Sequence, residues 1–292
     1  MDVALTYALV TPARNEGENL SRLADSIVAQ VRLPEEWLIV DNGSTDETPN
    51  IAHRLAEEHE WVRLLSTPGE RSPKPGAPIV LAFHAGIEAL AKPVDVVVKL
   101  DADVSFAPDY FDILTGAFAD DESLGLASGL CFELADGEWA PTHVTGDHAR
   151  GATRAYRWAC LQDVLPLEVR VGWDTVDELK AGLRGWRTGI VSEAHFLHHR
   201  AVGARDGARH SRARAQGRAA HYMGYRFPYL LARALYQARR DPAHLAMIGS
   251  YISAAVRRED RCQDAEVRSY LRDQQRLSRL PLRAREALGR RG

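Results

Sequence analysis

The sequence has few cysteines, and they follow no disulfide or zinc-site spacing. Cys131, Cys160 and Cys262 lie far apart, and none belongs to a Cys-x-x-Cys pair. Secreted disulfide frameworks use an even, closely spaced set of cysteines, and structural zinc sites commonly use such pairs. The pattern therefore argues against both classes and predicts a protein of a reducing compartment, the cytoplasm.

Long apolar runs and an excess of positive charge are also absent. No stretch approaches the roughly 18 to 20 apolar residues that cross a bilayer. The N-terminal residues up to Arg14 lack the pattern of a signal peptide. The formal net charge is −3 at pH 7, which excludes a protein that coats nucleic acid through its overall charge. We expect a soluble chain whose membrane contact, if it has one, is peripheral and at the inner face.

Apolar runs and amphipathic helical patterns alternate along the first hundred residues. Strands are predicted over residues 7–10, 37–40, 62–65 and 94–100, and helices over residues 15–31, 48–59 and 79–90. Further along, two strands are predicted over residues 124–139, a helix over 148–163, a loop leading into a helix over 172–186, and a strand over 188–198. This alternation predicts an α/β fold, a mostly parallel sheet flanked by helices on both faces.

Polar residues cluster where three predicted strands end, at residues 11–16, 41–46 and 101–103. In sheets of this kind ligands bind beyond the carboxyl ends of the strands. Asp101 and Asp103 follow a buried strand, and side chains at positions i and i+2 of an extended chain point the same way. Their oxygens suit Mn²⁺ or Mg²⁺ bridging a diphosphate. The alternative is a polar loop in which Asp103 caps the next turn.

Three segments resemble glycosyltransferase family 2: ALVTPARNE at residues 8–16, LIVDNGSTD at 38–46 and the metal-binding DxD motif, DAD, at 101–103. The resemblance covers roughly residues 6–200. It implies a Rossmann-like GT-A catalytic domain at residues 1–204, followed by a basic, aromatic helical extension at 205–292. It also implies an inverting glycosyltransferase that moves a sugar from a nucleoside-diphosphate sugar to a glycan or lipid-linked acceptor, in exopolysaccharide or cell-envelope glycan biosynthesis.

The resemblance implies roles for single residues. Those implied in nucleotide-sugar binding are Pro12, Ala13, Arg14, Glu16, Asp41, Lys74, Asp101 and Ala102. Asp103 is the implied principal ligand of the divalent cation, and His198 completes the metal shell, with His199 as second choice. Arg200 is placed to neutralise the leaving diphosphate. A solvated loop charge is an equal alternative for Lys74.

Two family segments are less closely matched or have a second interpretation. The usual Ala-Arg-Asn-x-Gly segment is replaced by residues 82–86, AFHAG, so its arginine contact is missing. The turn at residues 41–46 has a structural alternative, an Asx-rich turn that caps the helix at Thr48. We therefore give only Asp41 a ligand role there.

Inverting transfer needs a carboxylate base that removes the proton of the acceptor hydroxyl. Counting back without gaps from Gly185, as the resemblance directs, gives Asp174, whereas a gapped count gives Asp177 or Glu178. One of these acids has a structural alternative, because acidic residues are favourable in the first turn of a helix. We choose Asp174 and keep the other two as candidates.

Beyond residue 205 the sequence interleaves arginine with tyrosine and phenylalanine. Three interpretations compete: a packed helical extension with a solvated basic face, a segment that docks on anionic lipid, and nucleic-acid binding. We discount nucleic acid because no nucleic-acid motif accompanies the charge. A catalytically degenerate scaffold that binds nucleotide or glycan is the alternative to an enzyme. A nucleotidyltransferase or a dehydrogenase is disfavoured, since the first strand is not followed by a glycine-rich phosphate loop.

Overall fold

The computed structural model describes residues 4–69, 76–135, 137–142, 148–199, 208–239 and 241–276. The chain divides into two compact units, Met1–Ala201 and Val202–Gly292. The predicted domain boundary at residues 204/205, together with Lys74 and Arg200, lies outside the described residues, so these three expectations stay predictions.

The first unit is built on a nine-stranded sheet. Its strands are β1 Tyr7–Ala13, β2 Glu36–Asn42, β3 Val62–Thr67, β4 Val96–Leu100, β5 Val104–Phe106, β6 Leu124–Ala135, β7 Glu138–Pro141, β8 Thr153–Arg157 and β9 Arg187–His198. Its described helices are α1 Gly17–Val28, α2 Thr48–Glu58, α3 Ala77–Ala89, α4 Tyr110–Asp120, α5 Trp158–Val164 and α6 Trp173–Leu183. The strand order is β3-β2-β1-β4-β8-β6-β9-β5, and β7 pairs with β6.

Strands β1 to β4 pair in parallel; β1, β2 and β4 are buried on both faces, whereas the edge strand β3 is partly exposed. Successive side chains of a strand point to opposite faces, so one strand supplies both cores. Leu9 packs in the cluster that includes residues of α1, α2 and α4, whereas Val10 packs in the cluster that includes residues of α3, α5 and α6. The predicted layers of helix, sheet and helix are present, and all four carboxyl ends open at one edge.

The later strands pair differently from the first four. β8 lies antiparallel between β4 and β6, β5 is antiparallel to β9, and β6 is parallel to β9. The prediction of a helix over residues 148–163 was wrong at its centre, where β8 precedes the short helix α5. Arg154 is fully buried in β8, and its burial depends on a partner from α6 that no local pattern reveals.

The second unit contains only helical elements within its described residues. They are α7 Ala208–Tyr222, α8 Phe227–Ala238, a 3₁₀ turn at Pro242–Leu245, α9 Ala246–Val256 and α10 Ala265–Gln274. Leu230, Ala234 and Met247 form its small core with two alanines of α7. The predicted helical extension is confirmed. Among the described residues of the whole chain, no helix combines the length and apolar character that a bilayer crossing requires.

Candidate active site

The end of β4 carries the two predicted carboxylates. The backbone N–H of Asp101 donates to the carbonyl of Ala152 (2.8 Å), and the carbonyl of Asp103 accepts from the N–H of His199 (2.9 Å). The segment between β4 and β5 is therefore tied on one side to the loop before β8 and on the other to the end of β9. These bonds fix the backbone that presents both carboxylates.

Lys99 is the next-to-last residue of the buried strand β4, and it contacts the carboxylate of Asp101. Its Nζ donates to Asp101 Oδ1 and to the carbonyl of Gly151 (2.9 Å), and it lies 5.8 Å from the centre of the Trp173 ring. Burial raises the pKa of Asp101, while the Lys99 cation opposes that rise. The sequence interpretation missed Lys99, although a lysine inside the apolar strand VVVKL is a signal that could have been used.

His198 lies beside Asp103, at the end of β9. Its Nε2 is 3.4 Å from Asp103 Oδ1, and its Nδ1 is 3.5 Å from Glu133 Oε1. Burial alone would lower the pKa of His198, but hydrogen bonds to Asp103 and Cys131 outweigh it and raise the pKa to about 10. The neighbouring His199 points elsewhere, with Nε2 2.7 Å from the hydroxyl of Ser105. The structure thus brings the imidazole of His198, rather than that of His199, to the carboxylate of Asp103.

A cavity of about 300 Å³ opens at this edge of the sheet. Its lining residues are Pro12, Ala13, Arg14, Glu16, Asn42, Pro78, Ile79, Asp101, Ala102 and Asp103. Ligand pockets in proteins begin at about this size. The cavity brings together most of the residues expected to bind nucleotide sugar, and it adds Asn42, Pro78 and Ile79, which sequence reasoning missed.

Asp41 is buried and does not line this cavity. Its carboxylate accepts from the N–H of Ser44 (3.2 Å), within the turn that follows β2. Asn42, the next residue, lines the cavity in its place. Consecutive strand residues face opposite sides, and the ligand role expected of Asp41 stays a prediction.

The turns after β1 and β2 are bonded to each other. Asn15, which has a left-handed backbone (φ 54°), accepts from the N–H of Thr45 (2.8 Å) and donates its own N–H to Ser44 Oγ (3.0 Å). Asp46 accepts from the N–H groups of Gly17 (3.1 Å) and Thr48 (3.0 Å), at the starts of α1 and α2. Asp46 therefore has the capping role that was weighed for this turn.

The three candidate bases have different surroundings. Asp177 is buried, accepts two hydrogen bonds from Arg154 (2.8 and 3.0 Å), and also accepts from the Tyr156 hydroxyl. The side chain of Glu178 contacts Nδ1 of His148 and the hydroxyl of Thr188. Both carboxylates are therefore held by protein groups.

Asp174 is half-buried in the first turn of α6. Its backbone carbonyl accepts from Arg154 Nη2 (2.6 Å). A Cβ placed on Gly151 would lie 3.7 Å from Asp174 Oδ2, and the carbonyl of Gly151 accepts from Lys99. Gly151 therefore lies close to the Asp174 carboxylate and also bonds to Lys99, the residue that contacts Asp101.

The chain matches the model of Glycosyl transferase family 2 over residues 8–156, just over half of its length. The chain belongs to glycosyltransferase family 2. No curated protein sequence gives a significant match.

Solved structures with the same fold include three glycosyltransferases. The mannosyltransferase PcManGT from Pyrobaculum calidifontis, in complex with GDP-Man and Mn²⁺, is 17% identical with a TM-score of 0.59, covering 99% of this chain and 87% of its own. TarS 1-349 of S. aureus, in complex with UDP-GlcNAc, is 18% identical with a TM-score of 0.55, covering 73% and 65%. GalNAc-T7 with UDP, GalNAc and Mn²⁺ is 16% identical with a TM-score of 0.55, covering 70% and 44%.

At these identities the likeness establishes the fold, so the predicted GT-A fold is confirmed. Family membership and fold together support transfer of a glycosyl group from a nucleotide sugar. The roles of individual residues in this family 2 member stay predictions.

Proposed function

We propose that this family 2 member is an inverting, divalent-cation-dependent glycosyltransferase that moves a sugar from a nucleoside-diphosphate sugar to a glycan or lipid-linked acceptor. One observation carries the proposal. A cavity at the ends of β1, β2 and β4 gathers most of the residues expected to contact the nucleotide, together with Asp101 and Asp103.

The side chains at this edge fit a divalent cation. Carboxylate oxygens and an imidazole nitrogen are suitable ligands for Mn²⁺, and His198 Nε2 is 3.4 Å from Asp103 Oδ1. In the proposal Asp103 and His198 would hold the cation, and Asp101 would contact the ribose or the cation. A bound cation would offset charge on the departing diphosphate. Lys99 offsets part of the local negative charge before the donor binds.

Asp174 is our choice of base. It has more access to solvent than Asp177, and Asp177 is committed to Arg154 and Tyr156. Through Gly151 it lies near the Lys99–Asp101 pair. In the proposed reaction Asp174 takes the proton of the acceptor hydroxyl while the acceptor oxygen attacks the anomeric carbon from the side opposite the diphosphate. The new glycosidic bond forms as the sugar–phosphate bond breaks, and the nucleoside diphosphate leaves with the electron pair of the broken bond.

We propose a glycan or lipid-linked acceptor in exopolysaccharide or cell-envelope assembly. The second unit supports contact with anionic lipid, because α8 exposes Leu235 and Tyr236, with Arg239 over the Tyr236 ring (5.9 Å). Binding to vesicles of anionic lipid, but not to neutral vesicles, would support it.

Release of nucleoside diphosphate from a panel of nucleotide sugars tests the proposal against the scaffold alternative. Asp174→Asn should lower the rate by about 10² to 10⁴-fold, as expected for loss of a general base, while the donor Kd is unchanged. Glu178→Gln is the matched variant and should keep most of the rate. Loss in Glu178→Gln alone would reassign the base, and no turnover of any donor by the wild type would favour the scaffold.

A further inference from the structure

Three metal-ligand side chains that no sequence motif connects meet beside β9. Cys131 and Glu133 lie two residues apart on β6, so they point to the same face of the sheet. Glu133 is the register partner of His198 in the parallel pair of β6 and β9. Among the described residues, one ligand atom from each of Cys131, Glu133 and His198 lies within 4.8 Å of the other two.

His198 offers different edges of its ring to the two carboxylates. Nε2 lies 3.4 Å from Asp103 Oδ1, whereas Nδ1 lies 3.5 Å from Glu133 Oε1. A neutral imidazole has one nitrogen lone pair free for a metal ion. His198 can therefore serve one ion at a time, through Nε2 with Asp103 or through Nδ1 with Glu133.

Cys131, Glu133 and His198 together offer the donor set of a zinc site. A thiolate, a carboxylate and an imidazole are all zinc ligands, and three protein ligands leave a fourth position for water. Zn–S bonds of about 2.3 Å and Zn–N bonds of about 2.0 Å place tetrahedral donors roughly 3.3 to 3.7 Å apart. The three donor atoms now lie within 4.8 Å of one another, so no pair has to come more than about 1 Å closer to bind one Zn²⁺ ion. A thiolate favours Zn²⁺ over Mg²⁺.

We propose that Cys131, Glu133 and His198 form a Zn²⁺ site separate from the Asp101–Asp103 pair. Cys131 and His198 are largely buried, and the side chain of Glu133 is 22% exposed. A metal ion can therefore reach the site from solvent past Glu133. On binding, the thiol proton of Cys131 and any second proton on the His198 ring leave to solvent, and a sulfur–zinc bond forms. Where the proposed function holds, Zn²⁺ at this site competes with Mn²⁺ for His198.

Cobalt(II) is the probe for this site, because a thiolate bound to Co²⁺ produces a charge-transfer band in the near ultraviolet. The wild-type chain with Co²⁺ should show the band, and Zn²⁺ should displace it. Cys131→Ser should abolish the band and weaken Zn²⁺ binding by at least about tenfold, since even outer-shell partners of metal ligands contribute that much. Cys160→Ala, which alters another buried cysteine, should keep the band.

Asp103→Ala separates this site from the predicted donor-site cation. The charge-transfer band should persist in Asp103→Ala. Loss of the band in this variant would mean that Asp103 belongs to the same metal centre, and it would overturn the proposal of a separate site. No band in the wild type, or a band that survives Cys131→Ser, would also overturn it. Thermal transitions check that each variant folds. Glu133→Gln is a second variant, expected to keep the band but to lower Co²⁺ affinity about tenfold. These readouts need no nucleotide, so failure of the proposed function leaves them interpretable.

Discussion

At the scale of single residues, charge placement at the end of β4 is the main feature. Lys99 is buried, Asp101 is half-exposed, and Asp103 is nearly buried. Two carboxylates side by side repel each other and resist burial. The positive charge of Lys99 therefore lowers the electrostatic cost of holding the two carboxylates together when no metal ion is bound. The same lysine charge also weakens the attraction of the two carboxylates for a divalent ion.

Lys99→Met should destabilise the ion-free protein and strengthen its response to Mn²⁺. Losing a partner of a buried pair costs about 3–5 kcal/mol, and partial exposure of Asp101 reduces this to about 2–3 kcal/mol. Thermal denaturation with and without Mn²⁺ measures both effects. Lys92→Met removes a surface pair with Glu35 and should change little. If Lys99→Met were as stable as the wild type without Mn²⁺, the charge of Lys99 would not be what stabilises the carboxylate pair.

At the scale of elements, Arg154 joins β8 to α6. Besides its two bonds to Asp177, its guanidinium donates to the carbonyls of Ala149 and Asp174. One buried side chain thus fixes the loop before β8 and the first turn of α6. These two segments carry Gly151 and Asp174, so the position of the proposed base depends on this residue.

Arg154→Met should cost about 3–5 kcal/mol, because it leaves the Asp177 charge buried without its cationic partner. Urea denaturation measures the loss. The double variant Arg154→Met with Asp177→Leu should recover much of it, since no uncompensated charge is left. Arg184→Met, at the exposed end of α6, is the control and should stay within about 0.5 kcal/mol. A double variant as unstable as the single one would argue against the ion pair as the cause.

Gly86 sets how closely α3 packs on the sheet. A Cβ at this position would lie 2.3 Å from Val10 Cγ1 and 3.2 Å from Val40 Cγ2. Gly86→Ala should therefore destabilise by about 1–3 kcal/mol through overpacking. Gly182→Ala is the matched control on α6, where a Cβ has nothing within 4 Å, and it should stabilise by about 0.5–1 kcal/mol. Equal denaturation midpoints for the two variants would contradict this packing.

At the scale of the whole molecule, the sequence pattern predicted the four parallel strands β1 to β4 and also β6, β7 and β9, but not the short strand β5 or the antiparallel strand β8. Buried parallel strands such as β1 and β4 have continuous apolar sequences, which local patterns detect. β8 holds Arg154, whose partner Asp177 is distant in sequence, so its local pattern does not look like a strand. The meeting of Cys131 with His198 also depends on strand register. Separate motifs predicted most of the cavity lining. Asn42 was missed because only Asp41 of its motif was given a ligand role, and Lys99 was missed because it precedes the DAD motif.

The central claim is that the cavity beside Asp101 and Asp103 binds a nucleotide together with a divalent cation. Thermal shift with a panel of nucleoside diphosphates and nucleotide sugars, with and without Mn²⁺, tests it most directly. Asp103→Ala removes the proposed principal ligand, and Asp109→Ala, an exposed carboxylate a few residues later, is the control. We predict Mn²⁺-dependent stabilisation by one nucleotide in the wild type and in Asp109→Ala, lost in Asp103→Ala. Stabilisation by no nucleotide, or equal stabilisation of Asp103→Ala, would contradict the account.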